Sequence, residues 1–211
     1  MIKYAWEDDK THSGFAYNNL NSWKGSQLKF MFKFIEDKFK LDPKNPMKVI
    51  DIGCNAALNM KNFSEVYKNN QNEYYGFDLN ESALSLARTN LPEGKFFKTN
   101  FHLENILSNY EDNFFDFCFV TWVLTHIPTE GDGRETLIKE ILRVSKKGII
   151  LDPTLKNKKI DLNNLPYTLA QDEKDSTNVV VLDDYKRYES FVKEHEVIYE
   201  GNTSVYYWDK I

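Results

Sequence analysis

The chain has 211 residues, 41% hydrophobic and 15% aromatic, with a formal charge of -5. That length can bury one sizeable core, and the acidic balance argues against a nucleic-acid surface. No stretch is long and apolar enough for a bilayer, and the opening residues lack a signal-peptide core. A cytoplasmic protein without membrane or nucleic-acid partner is therefore expected.

Residues 1–25 carry Tyr4, Trp6, Tyr17 and Trp23 but little periodicity. Ser26 is expected to cap a helix reaching about Lys40, with Leu28, Met31, Phe32, Ile35 and Phe39 on one face. The segment from Asp42 to Pro46 stops it. Met47–Asp51 reads as a strand, followed by a helix to about Lys68 and a turn at Asn69–Asn72. Tyr74–Asp78 is a second strand. Asn80 caps a helix over Glu81–Asn90, and Leu91–Gly94 ends it. Lys95–Lys98 is a short third strand. Phe114–Val120 is almost continuously apolar, as in a strand covered on both faces.

A helix is expected over Thr129–Val144, with Leu137, Ile138, Ile141 and Val144 inward. Lys146–Gly148 then turns into a strand at Ile149–Leu151. Residues 152–182 are polar and without clear period, the character of a lid or substrate loop. A helix over Asp183–His195 precedes a hairpin of Glu196–Glu200 and Thr203–Trp208 joined at Gly201-Asn202.

This alternation predicts an α/β fold: a doubly wound, mostly parallel, seven-stranded sheet ending in an antiparallel hairpin. One domain is expected over 1–211. It has a helical cover at 1–46, a ligand-binding core at 47–151, a loop at 152–182, and a closing helix and hairpin at 183–211. Cys54 and Cys118 lack metal-ligand spacing and fall at strand ends, so both are expected as buried, reduced thiols. No metal is expected.

The chemistry concentrates where strands end. Val49-Ile-Asp-Ile-Gly-Cys-Asn-Ala-Ala57 is an apolar run closing in an acid, a glycine and small residues. One βα unit later a second apolar run ends in Asp78. That pattern grips a nucleotide-like ligand at the carboxyl edge of a parallel sheet. Gly53 lets the backbone approach the ligand, and Asp78 is placed to accept hydrogen bonds from two ribose hydroxyls. Asn55 tolerates left-handed angles better than most residues. Ala57 is expected to keep the helix start narrow but to give up positive φ.

These residues resemble the first motif and its follow-on acid in the class I S-adenosylmethionine (SAM) methyltransferases. The family pattern is roughly Asp-x-Gly-x-Gly-x-Gly; here Asp51-Ile-Gly53-Cys54-Asn55-Ala-Ala57 keeps the first glycine. The resemblance covers about residues 47–211 and implies the Rossmann-like methyltransferase fold, with SAM as cofactor. It implies SAM contacts at Asp51, Gly53, Cys54, Asn55, Asp78 and Leu79. It also implies Asn100 near the adenine amino group with Phe101 against the ring, and Thr121 and Trp122 along the methionine arm. Lys24 can meet the methionine carboxylate. Asn100 also reads as an ordinary turn residue. Tyr4, Trp6, Tyr17 and Trp23 can close over SAM with rings against the sulfonium, with core packing as the alternative.

The candidate reaction edge is Thr121–Pro128. His126 can act there as general base on an acceptor hydroxyl, since imidazole titrates near neutrality; a structural role is the alternative. Amino-methylating nucleic-acid enzymes carry Asp/Asn-Pro-Pro-Tyr/Phe after strand four, where this chain has Thr-Trp-Val-Leu. Magnesium-dependent relatives place acids there, and none precedes Glu130. The reading is methyl transfer to a small polar acceptor, foremost an oxygen. General resemblance extends it to a sugar or surface-polysaccharide precursor, including a phosphoramidate.

Two alternatives stand beside it. A nicotinamide-dependent oxidoreductase would need a Gly-x-Gly-x-x-Gly turn that this sequence lacks. A non-catalytic methyltransferase-like binding protein is suggested by the missing glycines at 55 and 57. The sequence does not set the oligomeric state.

Overall fold

In the computed structural model, the described residues are 23–101, 105–124, 133–153, 168–172, 177–181, 198–200 and 203–210. They fall into two compact units, residues 1–100 with 114–119, and residues 101–113 with 120–211.

The first unit opens with helix α1, Trp23–Phe39. It starts three residues before Ser26, so that serine lies inside the helix and does not cap it. Met31, Phe34, Ile35 and Phe39 are buried, the i, i+3, i+4, i+8 stripe of an amphipathic helix. Phe34 joins the expected face. Phe39 meets Phe117 edge-on, ring centroids 5.1 Å apart, and Phe32 lies 6.1 Å from Phe119. Asp42 then closes a turn, its Oδ1 accepting from the Lys44 amide at 3.0 Å.

Strands β1 (Lys48–Ile52) and β2 (Glu73–Asp78) pair in parallel, with Asp51 opposite Gly76. Strand β3 (Lys95–Lys98) pairs in parallel with β2, placing Lys98 opposite Asp78. Strand β4 (Phe115–Thr121) follows β1 in the order β3-β2-β1-β4, and its last two residues belong to the second unit. Helix α2 (Leu58–Val66) crosses from β1 toward β2, and α3 (Glu81–Asn90) from β2 toward β3. Burial is dense: Val49, Ile50, Ile52, Met60, Phe63, Phe115, Phe117 and Phe119 have no exposed surface.

Turn chemistry sets the register. The buried Asn72 side chain accepts from the Met47 amide at 2.9 Å and donates to the Tyr67 carbonyl at 3.0 Å. It thereby fixes the entry to β1 and the exit from α2 together. The Asn80 side chain caps α3 through the Ala83 amide at 3.1 Å, as its position before an apolar-periodic run predicts.

The second unit holds a 3-10 turn at Ile106–Asn109, helix α4 (Gly133–Val144), and strands β5 (Ser145–Pro153), β6 (Thr168–Asp172), β7 (Thr177–Val181), β8 (Ile198–Glu200) and β9 (Thr203–Asp209). Strand β9 runs antiparallel to both β5 and β8. The sheet is thus mixed, parallel early and antiparallel at the end, the class the sequence implies.

Two expectations are corrected here. No turn separates α4 from β5: Lys146–Gly148 are strand residues, Lys147 opposite Asp209 and Gly148 opposite Trp208. A long-range partner thus overrides the turn propensity of Lys-Lys-Gly. The segment 152–182 also contains strands, since β6 and β7 pair with each other from Thr168↔Val181 to Asp172↔Thr177. The β-branched run Val179–Val181 favours strand, a signal outweighed in the sequence by polar neighbours. The helices expected over 183–195 and at 129–132 lie outside the described residues.

Candidate active site

The loop between β1 and α2 departs from ordinary backbone at three alternate positions. Gly53 has φ 69, Asn55 has φ 47 and Ala57 has φ 63. These are the positions where the family pattern carries glycine. The expectation that Ala57 gives up positive φ is overturned: alanine adopts the left-handed conformation, as N-cap of α2, with ψ 30. An L-residue there carries about 1–2 kcal/mol of strain. Such strain persists where surrounding contacts over-determine the backbone.

Those contacts are present. The Gly53 and Cys54 amides both donate to the Phe77 carbonyl, at 2.8 and 3.0 Å. The Asn55 amide donates to Asp78 Oδ2 at 2.8 Å. The Ala57 amide returns to the Cys54 carbonyl at 2.8 Å, and Asn90 Nδ2 donates to the Ala56 carbonyl at 2.9 Å. The loop is tied at each successive residue to β2, to itself or to α3.

Asp78 ends β2. Its Oδ1 accepts from the Asn80 amide at 2.8 Å while its Oδ2 holds Asn55. A carboxylate offers about four lone-pair sites, and the amides of Asn80, Asn55 and Leu79 leave capacity for a ligand donor. Burial raises the Asp78 pKa above the usual carboxylate value, opposed by backbone hydrogen bonds from Asn80, Asn55 and Leu79.

Asp51 is fully buried. Its Oδ2 accepts from Asn59 Nδ2 at 3.1 Å, and its Oδ1 has no hydrogen-bond partner among the described residues. Burial pushes its pKa well up, the Asn59 hydrogen bond opposes this, and the Asp78 charge adds to the rise. Cys54 is a buried free thiol. Burial, then the charges of Asp78 and Asp51, hold its pKa well above the ordinary value, so it is a neutral wall and not a nucleophile.

Thr99 follows β3, buried, with its amide donating to the Asp78 carbonyl at 2.9 Å, and Asn100 comes next in the chain. The first unit therefore brings Asp51, Gly53, Cys54, Asn55, Asp78 and Leu79 to one strand-end edge, with Asn100 at the exit of the neighbouring strand. In the second unit Phe101 is half-buried and Thr121 is buried. Trp122 has φ 53, and its amide donates to the Leu151 carbonyl at 2.7 Å. His126 and the side chain of Lys24 lie outside the described residues, as do Tyr4, Trp6 and Tyr17. Among the described residues no group of three or more His, Cys, Asp or Glu is arranged to hold a metal.

Asn59 and Asn90 escaped the sequence reading. Asn59 sits on α2, eight residues past Asp51, where an amide can turn back to a buried acid. Asn90 is 34 residues from Ala56, and nothing local announces that pairing.

Comparison with known proteins bears on the family and the fold. Residues 50–151 match the family model described as a methyltransferase domain. The fold is similar to the PH0226 protein from Pyrococcus horikoshii OT3, with TM-score 0.59 and 17% identity over 92% of this chain and 94% of that one. It is also similar to a SAM-dependent methyltransferase from Aquifex aeolicus, with TM-score 0.53 and 15% identity over 87% and 96%. A third likeness is to WbdD, with TM-score 0.61 and 12% identity over 96% of this chain but 48% of that one. No curated protein sequence matches the chain.

Residues 50–151 thus carry a methyltransferase domain, on a fold similar to that of SAM-dependent methyltransferases. SAM is the cofactor that the matched domain and these neighbours imply. The donor set fits it: an acid at the end of β2 with hydrogen-bonding capacity in reserve, beside a left-handed loop open to close backbone approach at Gly53.

Proposed function

We propose that this protein methylates a small polar acceptor, foremost an oxygen, and that its cofactor lies on the Gly53–Ala57 loop and Asp78. The left-handed backbone at Gly53, Asn55 and Ala57, tied to the Asp78 carboxylate, carries the reading. It preserves the shape of a glycine-rich cofactor turn where two glycines are absent. SAM supplies an already activated methyl group, so the chain's task is to bind, orient and exclude water. Asp78 would hold the ribose hydroxyls, and Asn100 and Phe101 the adenine. Thr121 and Trp122 would line the methionine arm, with Lys24 on its carboxylate and His126 as base toward the acceptor.

A small acceptor is supported by the charge of -5, which offers no attraction to a polyanion. A sugar or surface-polysaccharide precursor, a phosphoramidate among them, suits an oxygen acceptor of this kind.

The test is calorimetric titration of SAM into the Asp78→Ala protein, with folding checked by circular dichroism. Charged hydrogen bonds contribute about 1.5–3 kcal/mol each, so the dissociation constant should rise by about 100-fold or more. An unchanged constant in a folded variant rejects the placement.

A further inference from the structure

We propose that Asn90 is a positioning residue for the cofactor loop, holding the left-handed backbone that glycines hold in the family pattern. The inference rests on the placement of SAM at Gly53–Ala57 and Asp78.

Asn90 is the last residue of α3. Its Nδ2 donates to the Ala56 carbonyl at 2.9 Å, in a partly buried setting and across 34 residues. Ala56 itself is buried and lies between the two non-glycine residues with positive φ, Asn55 and Ala57. A glycine adopts these angles without penalty and needs no tether. An alanine does not, and a free loop would relax toward right-handed or extended backbone.

The neighbouring peptide is already fixed from the other side, since the Asn55 amide donates to Asp78. The Ala56–Ala57 peptide has its oxygen fixed by Asn90 and its N–H by the Cys54 carbonyl, at 2.8 Å. Rotating Ala57 out of its left-handed angles would reorient that peptide and break the Asn90 contact. Asn90 therefore selects the loop shape that presents Gly53 and Asn55 to the cofactor. It acts from the far end of the helix that Asp78 and Asn80 begin, so both ends of α3 hold the same loop.

The experiment measures SAM affinity by calorimetry and thermal midpoint for the full chain and three variants: Asn90→Ala, Ala57→Gly and the double variant. Asn90→Ala should weaken SAM about five- to tenfold, the scale of one net hydrogen bond. The affinity of Ala57→Gly is the reference against which the double variant is read. In the double variant, glycine should restore most of the affinity, because the angles no longer need enforcement. Loss in Asn90→Ala without recovery in the double variant would reduce Asn90 to a general packing role and overturn the proposal. Unchanged affinity in Asn90→Ala would also overturn it. If Asp78→Ala binds SAM normally, the site placement fails instead, so the two failures are separable.

Discussion

At the scale of single residues, the two acids of the site are held differently, and Asp51 is the costlier. It is fully buried, with one oxygen on Asn59 and the other without a hydrogen-bond partner among the described residues. Desolvation disfavours its charged form. Its folded-state pKa is raised, so the native state binds the proton more tightly than the unfolded chain. Its contribution to stability is therefore full below the unfolded carboxylate value and is lost as pH rises through the folded value. Asp78 titrates in the same direction, less strongly, because three backbone amides favour its anion. The expected outcome is a fall in unfolding free energy between pH 5 and pH 8 to which Asp51 contributes. Asp51→Asn keeps the shape and the Asn59 contact but does not titrate. Urea unfolding at both pH values should show a smaller fall in the variant; an equal fall would mean that Asp51 is ionised throughout.

At the scale of elements, the meeting of β2 with the cofactor loop has no spare room. Gly76 sits opposite Asp51 in the β1–β2 register. A Cβ there would stand 2.6 Å from Phe96 Cδ1 and 2.8 Å from Cys54 Sγ. Gly76→Ala must therefore displace both the edge strand and the loop. Overpacking of this kind typically costs about 1–3 kcal/mol, and the Cys54 shift should weaken SAM as well. Urea unfolding and SAM titration of one variant read both effects, and a wild-type value in each would show that the contact relaxes freely. The second unit is fastened by Arg143. It donates to the Leu107 and Tyr110 carbonyls at 3.0 and 2.9 Å, and pairs with Glu140 and Asp112, each at 2.8 Å. Lys147 with Asp209 at 2.8 Å and Lys210 on the Leu142 carbonyl tie the β5–β9 end to α4. These long-range ties explain why β5 starts directly after α4, where local composition reads as a turn.

At the scale of the whole molecule, methyl transfer needs an acceptor brought in line with the activated methyl group, and His126 is the sequence's candidate for activating it. His126→Ala is expected to slow single-turnover methyl transfer by about 10²–10⁴-fold at saturating SAM, the usual contribution of a general base. SAM affinity should change little. A near-normal rate in a stable variant would assign His126 a structural role and leave activation to another group, or to an acceptor already anionic at neutral pH.

Much of this protein was determined by local sequence. Alternating apolar runs and caps set β1, β2, β3 and α3 almost to the residue, because Asn80 at an N-cap and Leu91–Gly94 after the last turn act on adjacent backbone. The acid at the end of each of the first two strands was legible for the same reason. What tertiary structure alone decided lies between residues far apart in the chain. Ala57 takes a conformation that its side chain resists, because Asp78 and Asn90, 21 and 33 residues away, constrain the peptides around it. Lys146–Gly148 extend a strand because β9, more than fifty residues later, offers its edge. Intrinsic preferences of about 1–2 kcal/mol are readable locally. They yield wherever several distant hydrogen bonds agree on another backbone.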